Sequence, residues 1–163
     1  MYMNNTDENI DSPGHRLVDR PMTVADVMTR HVITLNPHHS FSDSVSLMAK
    51  HSFRHLLVVD AARGLVGVVS DRDILRVLAR TTNWNATSVR QFMTHEVITV
   101  EPDTEISVAV GKMLSERVNC LPVVDDNNLC GIVTSTDFLK TFRRIQETLE
   151  KEAKCFNDAP VKA

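Results

Sequence analysis

Cysteine is scarce in this chain. Cys120, Cys130 and Cys155 are the three among 163 residues, an odd number with no C-x-x-C spacing. That argues against a disulfide framework and against a zinc site. Cys120 and Cys130 fall in β-like runs, where buried free thiols are common. An excess of basic charge is also missing, since 18 Lys and Arg face 21 Asp and Glu for a net charge of −3. No basic patch or stripe marks a nucleic-acid surface. No apolar run approaches the roughly 20 residues of a membrane span. The N-terminus, MYMNNTDENIDSPGH, lacks the positive start and apolar stretch of a signal peptide, so a cytoplasmic protein away from membranes is expected. Catalytic signatures are absent too: no Gly-rich phosphate loop, nucleophile elbow or paired-acid pattern stands out, and Ser70 has no evident base partner. His38 and His39 stand side by side but lack a carboxylate or Cys at ligand spacing. No catalytic residue and no metal site is therefore expected.

What the chain does have is a repeat. Residues 24–78 read VADVMTRHVITLNPHHSFSDSVSLMAKHSFRHLLVVDAARGLVGVVSDRDILRVL, and residues 89–142 read VRQFMTHEVITVEPDTEISVAVGKMLSERVNCLPVVDDNNLCGIVTSTDFLKTF. They align with a one-residue gap in a turn. Met28-Thr29 meets Met93-Thr94, Val32-Ile33-Thr34 meets Val97-Ile98-Thr99, and Pro37 meets Pro102. Val58-Val59-Asp60 meets Val123-Val124-Asp125, and Gly67 and Asp73 meet Gly131 and Asp137.

The pattern predicts the same elements twice. In repeat 1 a short strand at 32–35 is stopped by Pro37. Ser40 caps a helix with Asp43 in its first turn, and Phe41, Val45, Leu47 and Met48 form that helix's apolar face. Strands follow at 55–59 and 65–69, the latter rich in β-branched residues. Ser70 then caps a helix carrying Ile74, Leu75 and Leu78. Repeat 2 predicts a strand at 97–100, a helix from about 104 to 117, strands at 120–124 and 129–133, and a helix from Ser135 onward. Neither small sheet can bury its faces alone, so two β-α-β-β-α units packed sheet to sheet with pseudo-twofold symmetry are expected, an α+β fold. The expected divisions are a mobile arm at 1–20, repeat 1 at 21–80, a polar linker at 81–88, repeat 2 at 89–142, and a helical extension with a frayed tail at 143–163.

The helix after Ser135 runs on through FLKTFRRIQETLEKEAK with no Gly or Pro to end it. Phe138, Leu139, Phe142, Ile145 and Leu149 form one stripe. Phe138 and Leu139 are expected in the core, while Ile145 and Leu149 lie beyond the repeat and call for a partner. A homodimer is the reading, with the stripe folding back on its own module as the alternative.

The strings GVVSDRD (residues 67–73) and GIVTSTD (residues 131–137) resemble the signature of cystathionine-β-synthase-type (CBS) repeats. So do the leaders VMTRHVITLNP and FMTHEVITVEP and the strands RHLLVVD and NCLPVVD. The resemblance covers about 24–142 and implies the tandem pair called a Bateman module. Its usual ligands are AMP, ADP, ATP or S-adenosylmethionine, bound as regulatory ligands with no required cofactor and no catalysis. An unidentified effector protein is the further partner such a role implies. The competing reading is an interaction module with empty clefts.

Ser70-x-x-Asp73 lies where a strand becomes a helix, a place whose free N–H groups suit a phosphate. A carboxylate one turn in can accept hydrogen bonds from both ribose hydroxyls. The same spacing also serves as a capping box that needs no ligand; the family uses this Asp for ribose. The resemblance implies two sites in the cleft between repeats. One joins Thr134, Thr136 and Asp137 with Ile33, Thr34, Phe53, Arg54 and His55. The other joins Ser70, Arg72 and Asp73 with Ile98, Thr99, Val118, Asn119 and Pro122. Arg54, and with it His55, would meet phosphate in the first site, or Arg54 would snorkel at a strand edge. The second offers neutral Asn119 and Cys120 there and relies on Arg72, which is otherwise a solvated helix residue.

Overall fold

The computed structural model describes residues 20–62 and 64–157; residues 1–19, most of the expected arm, and the tail beyond Asn157 lie outside the described residues. The element order is β1 (Thr34–Leu35), α1 (Phe41–His51), β2 (His55–Asp60), β3 (Gly64–Ser70) and α2 (Asp71–Arg80), then α3 (Ile106–Glu116), β4 (Cys120–Asp125), β5 (Asn128–Thr134) and α4 (Ser135–Asn157). This is the expected α+β repeat pair. Helix α1 starts where Ser40 and Asp43 predict, because they form a reciprocal capping box. Helix α2 starts at Ser70 and Asp73 in the same way. Both antiparallel hairpins, β2–β3 and β4–β5, slip register at matching places, Val58/Val59 and Val123/Val124. The β4–β5 turn is made by Asp126 and Asn127, both at positive φ (44° and 64°), the tight form that suits the twist of a hairpin.

The first strand of each repeat differs from expectation. In repeat 1 only Thr34 and Leu35 pair with Leu57 and Val58, in parallel. In repeat 2 the run at 97–100 is no strand, and contributes only a bridge from Val100 to Val123. Two bonds make that bridge: the Val100 N–H donates to the Pro122 carbonyl (3.1 Å) and the Val124 N–H donates to the Val100 carbonyl (2.9 Å). The next rung back would need an N–H from residue 122, and proline has none. Leu57, at the equivalent place in repeat 1, does. Helix α3 also begins later than expected. Thr104 is spent in the turn, where its hydroxyl accepts the Glu101 N–H (3.1 Å), and Glu105 is the N-cap residue without a side-chain cap.

The leaders of the two repeats are exchanged. Thr29 bridges Ile132 on β5, and Thr94 bridges Val68 on β3. The Ile106 N–H at the start of α3 donates to the Met22 carbonyl (3.0 Å), and the Phe41 N–H at the start of α1 donates to the Thr87 carbonyl (2.9 Å). Each leader thus satisfies an orphan donor of the other repeat's first helix. The cores follow the exchange. Val24 and Met28 are buried with Val100, Met113, Leu121 and Val133 of repeat 2. Val89 and Met93 are buried with Leu35, Met48, Leu56 and Val69 of repeat 1. A third cluster, Leu57, Cys120 and Ile132, joins the two sheets. The polar segment expected as a plain linker carries a 3-10 turn, Trp84–Ala86, and the Trp84 ring packs 5.8 Å from that of Phe41.

Three apolar assignments are corrected. On α1 Val45 is exposed, while Phe41 and Met48 are buried. On α2 the buried apolar residue is Val77, while Leu75 and Leu78 are exposed. On α4 Phe138 packs against the core, but Leu139 is 69% exposed and does not belong to it. Residue 138 faces the sheet and residue 139, about 100° round the helix, faces away.

Candidate functional site

Each strand-to-helix junction fixes an acidic side chain. At the end of β5 the Thr134 N–H (2.8 Å) and hydroxyl (2.6 Å) both donate to Asp137 Oδ2. At the end of β3 the Ser70 N–H (2.8 Å) and hydroxyl (2.6 Å) donate to Asp73 Oδ2. The reciprocal capping box closes at Ser70, where the Asp73 N–H donates back to the Ser70 hydroxyl (3.3 Å); at both junctions the acid uses one carboxylate oxygen. The second oxygen separates them. Asp73 Oδ1 accepts from Arg76 Nη1 at 2.8 Å. Among the described residues nothing donates to Asp137 Oδ1. Lys140, the counterpart of Arg76, makes no such bond.

Each carboxylate lines a cleft between the repeats. The Asp137 cleft holds about 320 Å³ and the Asp73 cleft about 270 Å³, near the lower end of small-molecule pockets at about 300 Å³. The Asp137 cleft gathers Thr134 and Thr136 from repeat 2 with Ile33, Phe53, Arg54 and His55 from repeat 1. The Asp73 cleft gathers Ser70 and Arg72 from repeat 1 with Ile98, Val118, Asn119 and Pro122 from repeat 2. Thr34 and Thr99 line neither cleft. Thr34 sits in β1, and the Thr99 carbonyl accepts the Lys112 ammonium (3.0 Å).

Sequence reasoning missed several lining residues. The Asp73 cleft does not rely on Arg72, since Arg54, Arg76 and Arg117 line it as well, opposite Asp71 and Glu96. Arg117 is placed by its left-handed backbone (φ 55°) at the end of α3, as Ser52 (φ 56°) is at the end of α1. The alignment pairs these two residues, so the counterpart of Ser52 was visible, but not its charge pointing into the cleft. The Asp137 cleft adds His31, His51 and Lys140. The His51 and Phe53 rings stack 5.2 Å apart at 18°, a flat surface at its edge.

Electrostatics separate the inert groups from the available ones. Burial pushes the Cys120 thiol up to about 12, so it is no thiolate nucleophile at neutral pH. Burial also lowers the His55 pKa from 6.5, against the attraction of Asp71. His39 is occupied in its turn, where Nδ1 accepts the Asn36 N–H (2.9 Å). Cys120 and Cys130 are free thiols. Among the described residues no three His, Cys, Asp or Glu gather as a metal site, and no helix is long and apolar enough to cross a membrane.

The chain thus holds one β-α-β-β-α unit and a second that lacks only its first strand, with their leaders exchanged and a carboxylate in each cleft between them. The family model described as "CBS domain" matches residues 24–80 and 89–144. The chain belongs to that family. Protein MK0525 of Methanopyrus kandleri is 33% identical over 141 residues, 85% of this chain and 72% of that one. L-aspartate semialdehyde sulfurtransferase of Methanocaldococcus jannaschii is 32% identical over 83% of this chain, which spans 27% of that enzyme. Among solved structures, the CBS domain pair of protein MJ0100 in complex with 5'-methylthioadenosine and S-adenosyl-L-methionine is similar, with a TM-score of 0.69 and 31% identity over 76% of this chain and 97% of that one.

Proposed function

We propose that this protein is a regulatory module that binds an adenine nucleotide, AMP, ADP or ATP, in the clefts between its repeats and does no chemistry on it. One observation carries the reading: Asp137 is held by Thr134 through one oxygen and has its other oxygen unpartnered among the described residues, beside a cavity. A capping box alone needs only the first. A fixed carboxylate with a spare acceptor suits the paired hydroxyls of a ribose. Ile33 on the opposite wall offers an apolar surface for the base, and Arg54 a cation for phosphate.

The adenosyl ligands of the MJ0100 pair support a second reading, S-adenosylmethionine in place of a nucleotide. Thermal shift and calorimetry with AMP, ADP, ATP and S-adenosylmethionine separate the readings. A ligand that binds only the native state stabilises it by about 2.7 kcal/mol at a hundredfold excess over Kd. If none of these compounds shifts the melt, the module binds partners rather than nucleotides.

Asp137→Ala is expected to weaken nucleotide binding more than Asp73→Ala. The Asp137 carboxylate loses bonds worth about 1.5–3 kcal/mol each, at least about tenfold in affinity, whereas at Asp73 a ribose must first displace Arg76. Unchanged calorimetric affinity and stoichiometry in the Asp137 variant would refute the site. We further propose a homodimer formed through exposed helix faces. Leu75 on α2 and Leu139, Phe142 and Leu149 on α4 stand 65%, 69%, 61% and 55% exposed.

A further inference from the structure

The two clefts have a wall in common. Arg54, His55 and Asn119 line both of them. Arg54 and Asn119 are counterparts in the two repeats and are anchored alike. The Asp71 N–H at the start of α2 donates to the Arg54 carbonyl (3.0 Å), and the Ser135 N–H at the start of α4 donates to the Asn119 carbonyl (3.1 Å). The symmetry of the backbone is broken by charge, because only one of the pair is a cation. The Arg54 guanidinium makes no hydrogen bond or ion pair among the described residues, and its long stem can turn to either side.

Count histidine as neutral and the balance in each cleft is the same. In the Asp137 cleft Lys140 offsets Asp137. In the Asp73 cleft Arg72, Arg76 and Arg117 offset Asp71, Asp73 and Glu96. What remains is one positive charge in each, and it is Arg54 both times. His55 does not add a second shared cation at neutral pH, since burial lowers its pKa.

We propose that the two clefts compete for Arg54, so that phosphate-bearing ligands fill them with negative coupling while uncharged adenosyl ligands fill them independently. This rests on the adenine-binding reading above. The guanidinium held by the first phosphate is the whole of the second cleft's net positive charge, and its loss weakens the second ligand by at least about tenfold.

The test is calorimetry with AMP and with adenosine on the wild type, Asp73→Asn, Asp137→Asn and Arg54→Met. The Asn variants keep a side-chain acceptor for the capping contacts, and Arg54 is exposed, so all three are expected to fold, which circular dichroism checks. Each Asn variant is expected to take one AMP in its intact cleft. In the wild type the second AMP is expected to bind at least about tenfold more weakly than at that same cleft alone. Adenosine is expected to show no such gap beyond about twofold, and Arg54→Met to remove the gap for AMP. AMP filling both wild-type clefts at its single-cleft affinities overturns the proposal. So does a gap that persists in Arg54→Met or is equal for adenosine, or an Asn variant whose intact cleft takes no AMP. If neither compound binds any of the four proteins, the adenine reading itself fails and this one with it; adenosine binding with uncoupled AMP defeats this one alone.

Discussion

A Cβ placed on Gly131 would stand 2.6 Å from the Thr29 carbonyl oxygen, and one on Gly67 would stand 2.6 Å from the Met93 sulfur. These two glycines are where each exchanged leader crosses the other repeat's sheet. The closest clash differs: at Gly67 a methionine tip can swing away and leaves the Thr94 carbonyl at 3.1 Å, but at Gly131 a backbone carbonyl held by the Ile132 N–H (3.0 Å) stands at 2.6 Å and cannot. Gly131→Ala is therefore expected to destabilise the fold by about 1–3 kcal/mol and Gly67→Ala by less, read from urea midpoints. Equal losses would show that the leader's backbone is not the obstacle. His55 gives the chain a pH dependence. Its pKa is lower folded than the ordinary 6.5, so the unfolded chain takes up the proton first. The stability from this group is full above about pH 6.5 and is lost as pH falls toward the folded pKa. The melting temperature of the wild type is expected to fall between about pH 7 and pH 5, and to fall less in His55→Gln. Parallel curves for the two proteins would refute the assignment.

At the level of elements, periodicity and capping residues placed most of the structure. Ser40 with Asp43 and Ser70 with Asp73 marked helix starts to the residue, because a cap is a local arrangement of neighbours. The failures lay where pairing across the chain decides. The run VITV at 97–100 has the same β-branched character as VITL at 32–35, yet only the second holds a strand. Composition cannot report whether the partner strand offers an N–H, and Pro122 withholds it. Pro122→Leu is expected to supply that donor and lengthen the pairing toward Ile98. Hydrogen exchange tests this, with the new amide at position 122 expected to be protected. Exchange there at the rate of an exposed loop would mean that the proline is not what ends the strand.

For the whole molecule, the exposed apolar residues of α2 and α4 bear on assembly. The proposed homodimer is expected in light scattering or sedimentation at micromolar concentration, and truncation after Thr141 is expected to weaken it. A monomer refutes the dimer, and a dimer untouched by truncation moves the interface off the α4 extension. The repeat, the α+β class, the capped helices and the two acidic junctions were determined by the sequence alone. Each depends on contacts between near neighbours or on a pattern written twice. Which leader serves which core, the shared wall at Arg54, the arginine that occupies Asp73 and the free oxygen of Asp137 were decided only by the tertiary structure. The first two join residues far apart in the chain, and nothing in a duplicated sequence says whether its halves fold on themselves or through each other; the last two turn on whether a cation one helical turn away reaches back to the carboxylate.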